Sequence, residues 1–481
     1  MSLSAASRNA ISGLTMASLT TRLISDNIAN ALTPGYGVRT LGLTSDHDGN
    51  GVRVLGITRF TDPVLLANRR EADAAYGKNS IAATFLSRVE GIVGLPDDAF
   101  SLSARVTQFQ TELLEATSRP DSGIRLDQAV QSAADLATAI NKAARDVQTL
   151  RNEAEIDITQ QVDRLNELLV QVDELNVQIS KTAIAGKSTA PLVDRRQVLI
   201  DELSAIVPVR EVRRDDGQVS LYSTGGAILL DTQPAEIGFT RVNLVSEFSS
   251  IDTGTLYGLT FNGRDIATDP DSSNLRGGTL IAAFEVRDVT AVEMQNRLDG
   301  MARDLVERFE DASVDATRGA GDPGLFTDNG NALDPLDVLG LAQRLELNAA
   351  IDPDQGGETW RLRDGLGAAT QGSVGDASLI IDLMDAMESY RTAPTAIGTG
   401  SYSATGLADY ISSLVSTEAT SAEADQSYAA IQQSEMISLE DADGVDSDAE
   451  LQSLMIIEQL YAANAQVLQT IDLMMQTLLE I

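Results

Sequence analysis

The sequence predicts a mainly α protein with an inserted β domain, in which the two ends of the chain pair as helices. Three observations predict it. Apolar residues recur at helical spacing at both extreme ends, and helical patterning also fills residues 73–182. Apolar–polar alternation replaces it from Pro208 to about Arg276. The 481 residues allow about three domains, each with a real core. The expected layout is an inner coiled-coil domain of residues 1–45 with 447–481. A discontinuous helical bundle of 46–206 with 278–446 surrounds it, and a small outer β domain of 207–277 lies outermost.

The first helix carries Leu3, Ser7, Ala10, Leu14, Ala17, Thr21, Ile24 and Ile28 at alternating steps of four and three. It is almost free of charge, unlike the rest of the chain. The stretch "NIANALTPGY", Asn27 to Tyr36, then stops it: Pro34 cannot continue a helix, and Gly35 permits a left-handed turn. Loop and short strand are expected from Gly42 to Gly56. Three or so long helices fill 73–182, with breaks at "GLPDD" (Gly94 to Asp98) and "SRPDSG" (Ser118 to Gly123). Ile158, Val162, Leu165, Leu169, Val172 and Ile179 keep heptad spacing, with Asn176 the one polar seam position.

From Pro208 the pattern becomes that of short strands, with a hairpin signal at Asp216-Gly217. Helix returns after Arg276, gives way to a Gly/Pro/Asp-rich patch at Gly319 to Gly330, and resumes from about Gly406 to Ser438. The acids of "DADGVDSDAE" (Asp441 to Glu450) read as caps for the C-terminal helix. That last helix, Leu451 to Ile481, would be ~46 Å long. Leu454, Ile457, Tyr461, Asn464, Leu468, Ile471, Met475 and Leu478 form a strict seam, and Ile456, Leu460, Ala463, Val467 and Met474 form a second beside it. A helix with two adjacent apolar seams needs partners on two sides.

Composition narrows the function. A formal net charge of −36 repels nucleic acid phosphates and anionic headgroups, so neither is an expected partner. The absence of Cys removes thiol nucleophiles and thiolate metal sites, and a single His, His47, removes His-cluster zinc sites. No run of about 18 apolar residues is present, so no membrane insertion is expected. The opening residues are too polar for a signal peptide. "AGKST" (Ala185 to Thr189) lacks the glycine five residues before Gly186 that a phosphate loop needs, since Lys181 stands there, and reads as a polar turn. "DHDGNG" (Asp46 to Gly51) opens like a calcium loop, but its twelfth position is Ile57 rather than a bidentate Glu. Close acidic pairs are what 71 carboxylates produce by chance, and no Gly-x-Ser-x-Gly elbow occurs. The expectation is no catalytic residue, no cofactor and no metal.

The two ends together resemble a bacterial flagellar axial protein. "ISDNIANALTPGYGVRT" resembles the motif closing the N-terminal helix of rod, hook and first hook-associated proteins, and "YAANAQVLQTIDLMMQTLLEI" their C-terminal helix. Within that superfamily the helical interior, "RGGTLIAAFEVRD" with "NRLDGMARDLVERF", and "RGAGDPGLFTD" resemble the hook-associated members that join hook to filament. The resemblance implies a non-enzymatic structural role, adapting a flexible hook to a stiffer filament. It implies hook protein and the third hook-associated protein as neighbours, self-association in a helical ring, and an export chaperone on the C-terminal helix. It also implies an extracellular place in the flagellum, reached by type III export without a cleaved signal peptide.

The assembly interface expected on these grounds comprises Leu3, Ala10, Leu14, Ala17, Ile24 and Ile28, the closure residues Asn27, Asn30, Pro34, Gly35 and Tyr36, and the strict C-terminal seam from Leu454 to Leu478. The alternatives are another axial protein, such as hook protein or a flagellin, or a secreted adhesin or degradative enzyme with coiled-coil ends.

Overall fold

Helix breakers set the first elements. In the computed structural model, which describes residues 3–45, 51–95 and 97–479, α1 (Leu3–Ala29) ends just before the Pro34 turn. A β1–β2 hairpin (Arg39–Ser45, Val52–Arg59) comes next, antiparallel with a register shift at Gly42/Leu43. The calcium-like stretch and His47 fall largely within 46–50, outside the described residues. Helix α2 (Pro63–Val93) starts ten residues before the expected Asp73. Asp62 is the reason: its carboxylate accepts from the Val64 and Leu65 amides at 2.8 and 3.2 Å, and Pro63 occupies the first turn, where no amide is needed. Helix α3 (Leu102–Ser118), capped by Ser101, and α4 (Gly123–Ile184) obey the two predicted breaks.

Helix α4 organises the body of the molecule. Its 62 residues span about 93 Å, and two separate cores lie along it. The N-terminal half, from Leu126 to Ala154, packs with α3 and with α7 (Ala291–Glu310), and α11 (Ala404–Ala442) joins the same core through α2, α3 and α7; Phe109 meets Phe309 and Phe326 edge-on at the centre. Short elements complete this core: β9 (Phe326–Asp328) paired with β10 (Leu345–Leu347), α8 (Leu341–Arg344), α9 (Arg361–Asp364), α10 (Ser378–Glu388), and the β11–β12 pair (Arg391–Thr392, Ser401–Tyr402).

The C-terminal half carries the heptad seam, which helix α5 (Ala190–Ile206) and two small sheets cover together. Ile158, Val162, Leu165, Leu169 and Val172 join α5, α6 (Thr279–Glu285) and two three-stranded antiparallel sheets. The first is β3–β4–β5 (Val209–Arg213, Val219–Ser223, Ile228–Leu230), the second β6–β7–β8 (Ile237–Phe239, Leu259–Phe261, Arg264–Ile266). The Asp216-Gly217 turn joins β3 to β4, both residues at positive φ. Asn176 explains itself here: its amide donates to the Val219 carbonyl at 2.9 Å and its oxygen accepts from the Val219 amide and Arg196.

This corrects the picture of a separate outer β domain over 207–277. Val209, Val219, Leu221, Leu229, Ile237 and Leu259 have no core of their own; they complete the one begun by α4 and α5. Short strands that expose one face need such a partner. Strand β3 is moreover tied to the start of α2 by Arg70–Glu211 (3.0 Å), beside the joint with the chain ends rather than far from it.

Candidate assembly interface

Helix α12 (Ser447–Leu479) lies antiparallel along α1. Asn27 meets Glu450, Gly13 meets Asn464, and Leu3 and Ala6 share a groove with Ile471 and Met474. The acidic loop before α12 caps it as expected, Asp446 accepting from the Asp448 and Ala449 amides at 3.0 Å. Gly13 allows the close approach, since a Cβ there would stand 2.7 Å from Asn464.

Within the pair the expected residues divide. Ala10, Ala17, Ile24 and Asn27 of α1 are buried, and Leu3, Leu14 and Ile28 half-buried. On α12, Ile471 is buried and Leu454, Ile457, Asn464 and Leu468 are half-buried toward α1. Tyr461, Met475 and Leu478 are exposed, as is the whole second seam of Ile456, Leu460, Ala463, Val467 and Met474. Ile11 and Leu19 of α1 also face outward. The pair therefore covers part of the strict seam of α12 and leaves the second seam uncovered. A groove of 530 Å³ beside it is lined by Leu3, Ala6, Ala463, Val467, Ile471 and Met474.

The closure stretch is a joint. Asn27, 1% exposed, uses all its hydrogen-bonding capacity. Its amide donates to the Arg39 carbonyl (3.0 Å) and to Glu450 Oε1 (2.6 Å); its oxygen accepts from the Tyr36 hydroxyl (2.8 Å) and the Arg39 amide (3.1 Å). One side chain thus holds the end of α1, the start of β1 and the start of α12. Asn30 donates to the Asp26 carbonyl at 2.8 Å, Pro34 is exposed, and Gly35 turns the chain at φ +74°. Gly35 also lies close on α5: a Cβ there would stand 2.6 Å from Val198.

Residues that the sequence did not single out fasten this joint to the body. Asp194 of α5 pairs with Arg39 and Arg59, both at 2.6 Å, and accepts from the Gly37 amide at 3.2 Å. Arg59 donates to the Gly35 carbonyl at 3.0 Å and to Gln197. Arg39 stacks on the Tyr36 ring at 4.6 Å. Arg69 bridges Asp201 and Glu440, tying α2 to α5 and to the end of α11. Burial pushes the Tyr36 hydroxyl up, with Arg39 opposing, and pushes the Glu440 carboxyl up against the pull of Arg69.

Lys187 lies in an exposed turn between α4 and α5, as the polar-turn reading expects. Among the described residues no group of three or more His, Asp or Glu is placed to hold a metal, and no helix is long and apolar enough to cross a membrane.

Residues 86–326 match the flagellar hook-associated protein FlgK helical domain. The chain belongs to the FlgK family. Residues 442–481, nearly all of them α12, match the C-terminal region of the flagellar basal body rod FlgEFG proteins. Flagellar hook-associated protein 1 of Bacillus subtilis is 23% identical over 69% of this chain and 71% of its own length. The Salmonella typhimurium protein of the same name is 26% identical over 57% of this chain and 54% of its own. That of Escherichia coli is 24% identical over 65% and 58%. The chain thus spans little more than half the length of these two enterobacterial relatives. The solved flagellar hook junction protein FlgK from Burkholderia pseudomallei is 20% identical, covering 56% of this chain and 47% of its own, with a TM-score of 0.43. Membership makes this chain a structural component of the bacterial flagellum that associates with other axial components. Hook protein, flagellin, adhesin and degradative enzyme are not favoured.

Proposed function

We propose that the protein is the adaptor between hook and filament, and that the α1–α12 pair is the surface through which copies assemble. The observation carrying this reading is the uncovered second seam of α12. Val467 and Met474 are 45% and 51% exposed and line an open apolar groove with Leu3 and Ala6. Contiguous apolar surface of this kind marks an interaction site. The antiparallel pair would form the innermost layer of a ring, the Asn27–Asp194 joint would set where the chain turns outward, and the acidic body would stay solvated. Hook protein would lie on one side and the third hook-associated protein on the other. An export chaperone would cover α12 until the unfolded chain leaves through the type III route.

The test is Val467→Asp with Met474→Asp in a cell whose own copy is deleted. Both side chains are exposed in the monomer, so purified protein should keep its melting temperature. Each assembled copy would bury unpaired carboxylates, at a cost of about 3–5 kcal/mol per site. Negative-stain images should show hooks without filaments, with filament subunits in the medium. Normal filaments from a secreted double variant would sink the proposal; secretion is checked separately because the chaperone would grip the same helix.

A further inference from the structure

Beside the joint, the β1–β2 hairpin, α2, α5 and β3 enclose a cavity of 480 Å³. In a chain of net charge −36 it is lined by six arginines, Arg59, Arg70, Arg196, Arg210, Arg213 and Arg214, and one carboxylate, Glu211. Internal pairing leaves this charge unbalanced. Arg59 is held by Asp194, Arg70 by Asp201 and Glu211, and Arg214 by Asp231. Among the described residues, Arg196, Arg210 and Arg213 make no ion pair.

Two of these guanidiniums are buried, which makes the imbalance costly. Arg196 is 5% exposed and donates only to neutral acceptors, Asn176 Oδ1 at 2.8 Å and the Gly217 carbonyl at 2.7 Å. Burial, eased by Glu211 and worsened by Arg59, Arg213 and Arg70, pushes it down to about 10. Arg70 is 3% exposed, and its Nη2 has no hydrogen-bond partner. The start of α5, at Thr189 and Ala190, also lines the cavity, with no acid in its first turn and no side-chain cap. Its amide dipoles add to the positive field. Between the guanidiniums the walls are aliphatic: Leu66, Val193 and Ile200.

We infer that this cavity binds a small polycarboxylate, with inorganic phosphate as a weaker ligand of the same guanidiniums. Planar guanidinium forks match carboxylate oxygens in pairs, and the aliphatic walls suit a ligand with a carbon skeleton better than a bare inorganic ion.

The inference is tested by calorimetry of the full chain with citrate and with phosphate, in chloride buffer at constant ionic strength. Saturable binding of one citrate, and weaker binding of phosphate, is expected. Arg210→Gln with Arg213→Gln should weaken citrate at least tenfold while keeping the melting temperature, because both side chains are exposed and unpaired. Arg164→Gln, which breaks an exposed pair with Glu202 elsewhere, should bind as the parent does. Citrate heats no larger than those of chloride, or undiminished binding by the double variant, would overturn the assignment. Binding of a hexaglutamate peptide without binding of citrate would also overturn it, and would make the cavity a dock for an acidic chain segment.

Discussion

Helices α4 and α12 carry the same kind of apolar seam and end in opposite circumstances. Of the 62 residues of α4, 25 are buried, each facing another part of the same chain. Of the 33 residues of α12, Ile471 alone is buried. Seam spacing therefore announces an apolar face on a helix, but not whether the same chain covers it. A helix in mid-sequence has several hundred residues from which to draw its cover. One that pairs with α1 is covered along a single stripe, and its second seam stays exposed.

Leu165→Ala should break the comparison hardest on the α4 side. Leu165 is fully buried against α5 and the sheets, so the truncation should cost about 2–5 kcal/mol and lower the main melting transition of the monomer. An unchanged transition would mean that the C-terminal half of α4 does not carry a core.

Asn27→Ala tests the joint between the two regions. It would leave the Tyr36 hydroxyl, both backbone groups of Arg39 and Glu450 short of a partner, at about 1–3 kcal/mol for each group that stays buried. The loss should be local. Limited proteolysis should release α1 and α12 faster than in the parent, while the body melts as before. Equal cleavage rates would remove Asn27 from the joint.

Glu440→Gln should have a smaller effect, with a defined sign. The folded state raises the Glu440 carboxyl above its ordinary value of 4.5, so folding favours its protonated form. Its contribution is present below 4.5 and is lost as pH rises through the raised value. The parent's stability relative to the Gln variant should therefore decline as pH rises from about 4.5; a difference independent of pH would refute the burial argument. The smallest effect belongs to Lys187→Ala. In an exposed turn it should change neither melting nor motility, and nucleotide binding by the parent, measured by calorimetry, would contradict that.

Much of the fold is legible in residue order. Pro, Gly and Ser punctuation locates the ends of α1, α3 and α4, because those constraints act within a few residues. The start of α2 escapes the periodicity, although Asp62-Pro63 announces it locally. The closure stretch is recognisable as a stop, but Asp194, its anchor, lies 155 residues beyond Arg39, and no local signal links the two. The seam from Leu454 to Leu478 is legible as apolar, yet spacing alone does not separate the buried Ile471 from the exposed Met475 and Leu478 of the same stripe.

The sequence by itself determined which segments are helical, where they stop, and that α12 carries two adjacent apolar stripes, since spacing and backbone sterics are properties of neighbours in the chain. Tertiary structure alone decided that the strands from Val209 to Ile266 share a core with α4 and α5, that Asn27 meets Glu450, and that six arginines crowd one cavity. Those outcomes depend on which distant surfaces fill one another's volume and satisfy one another's polar groups, and that is a property of the packed chain.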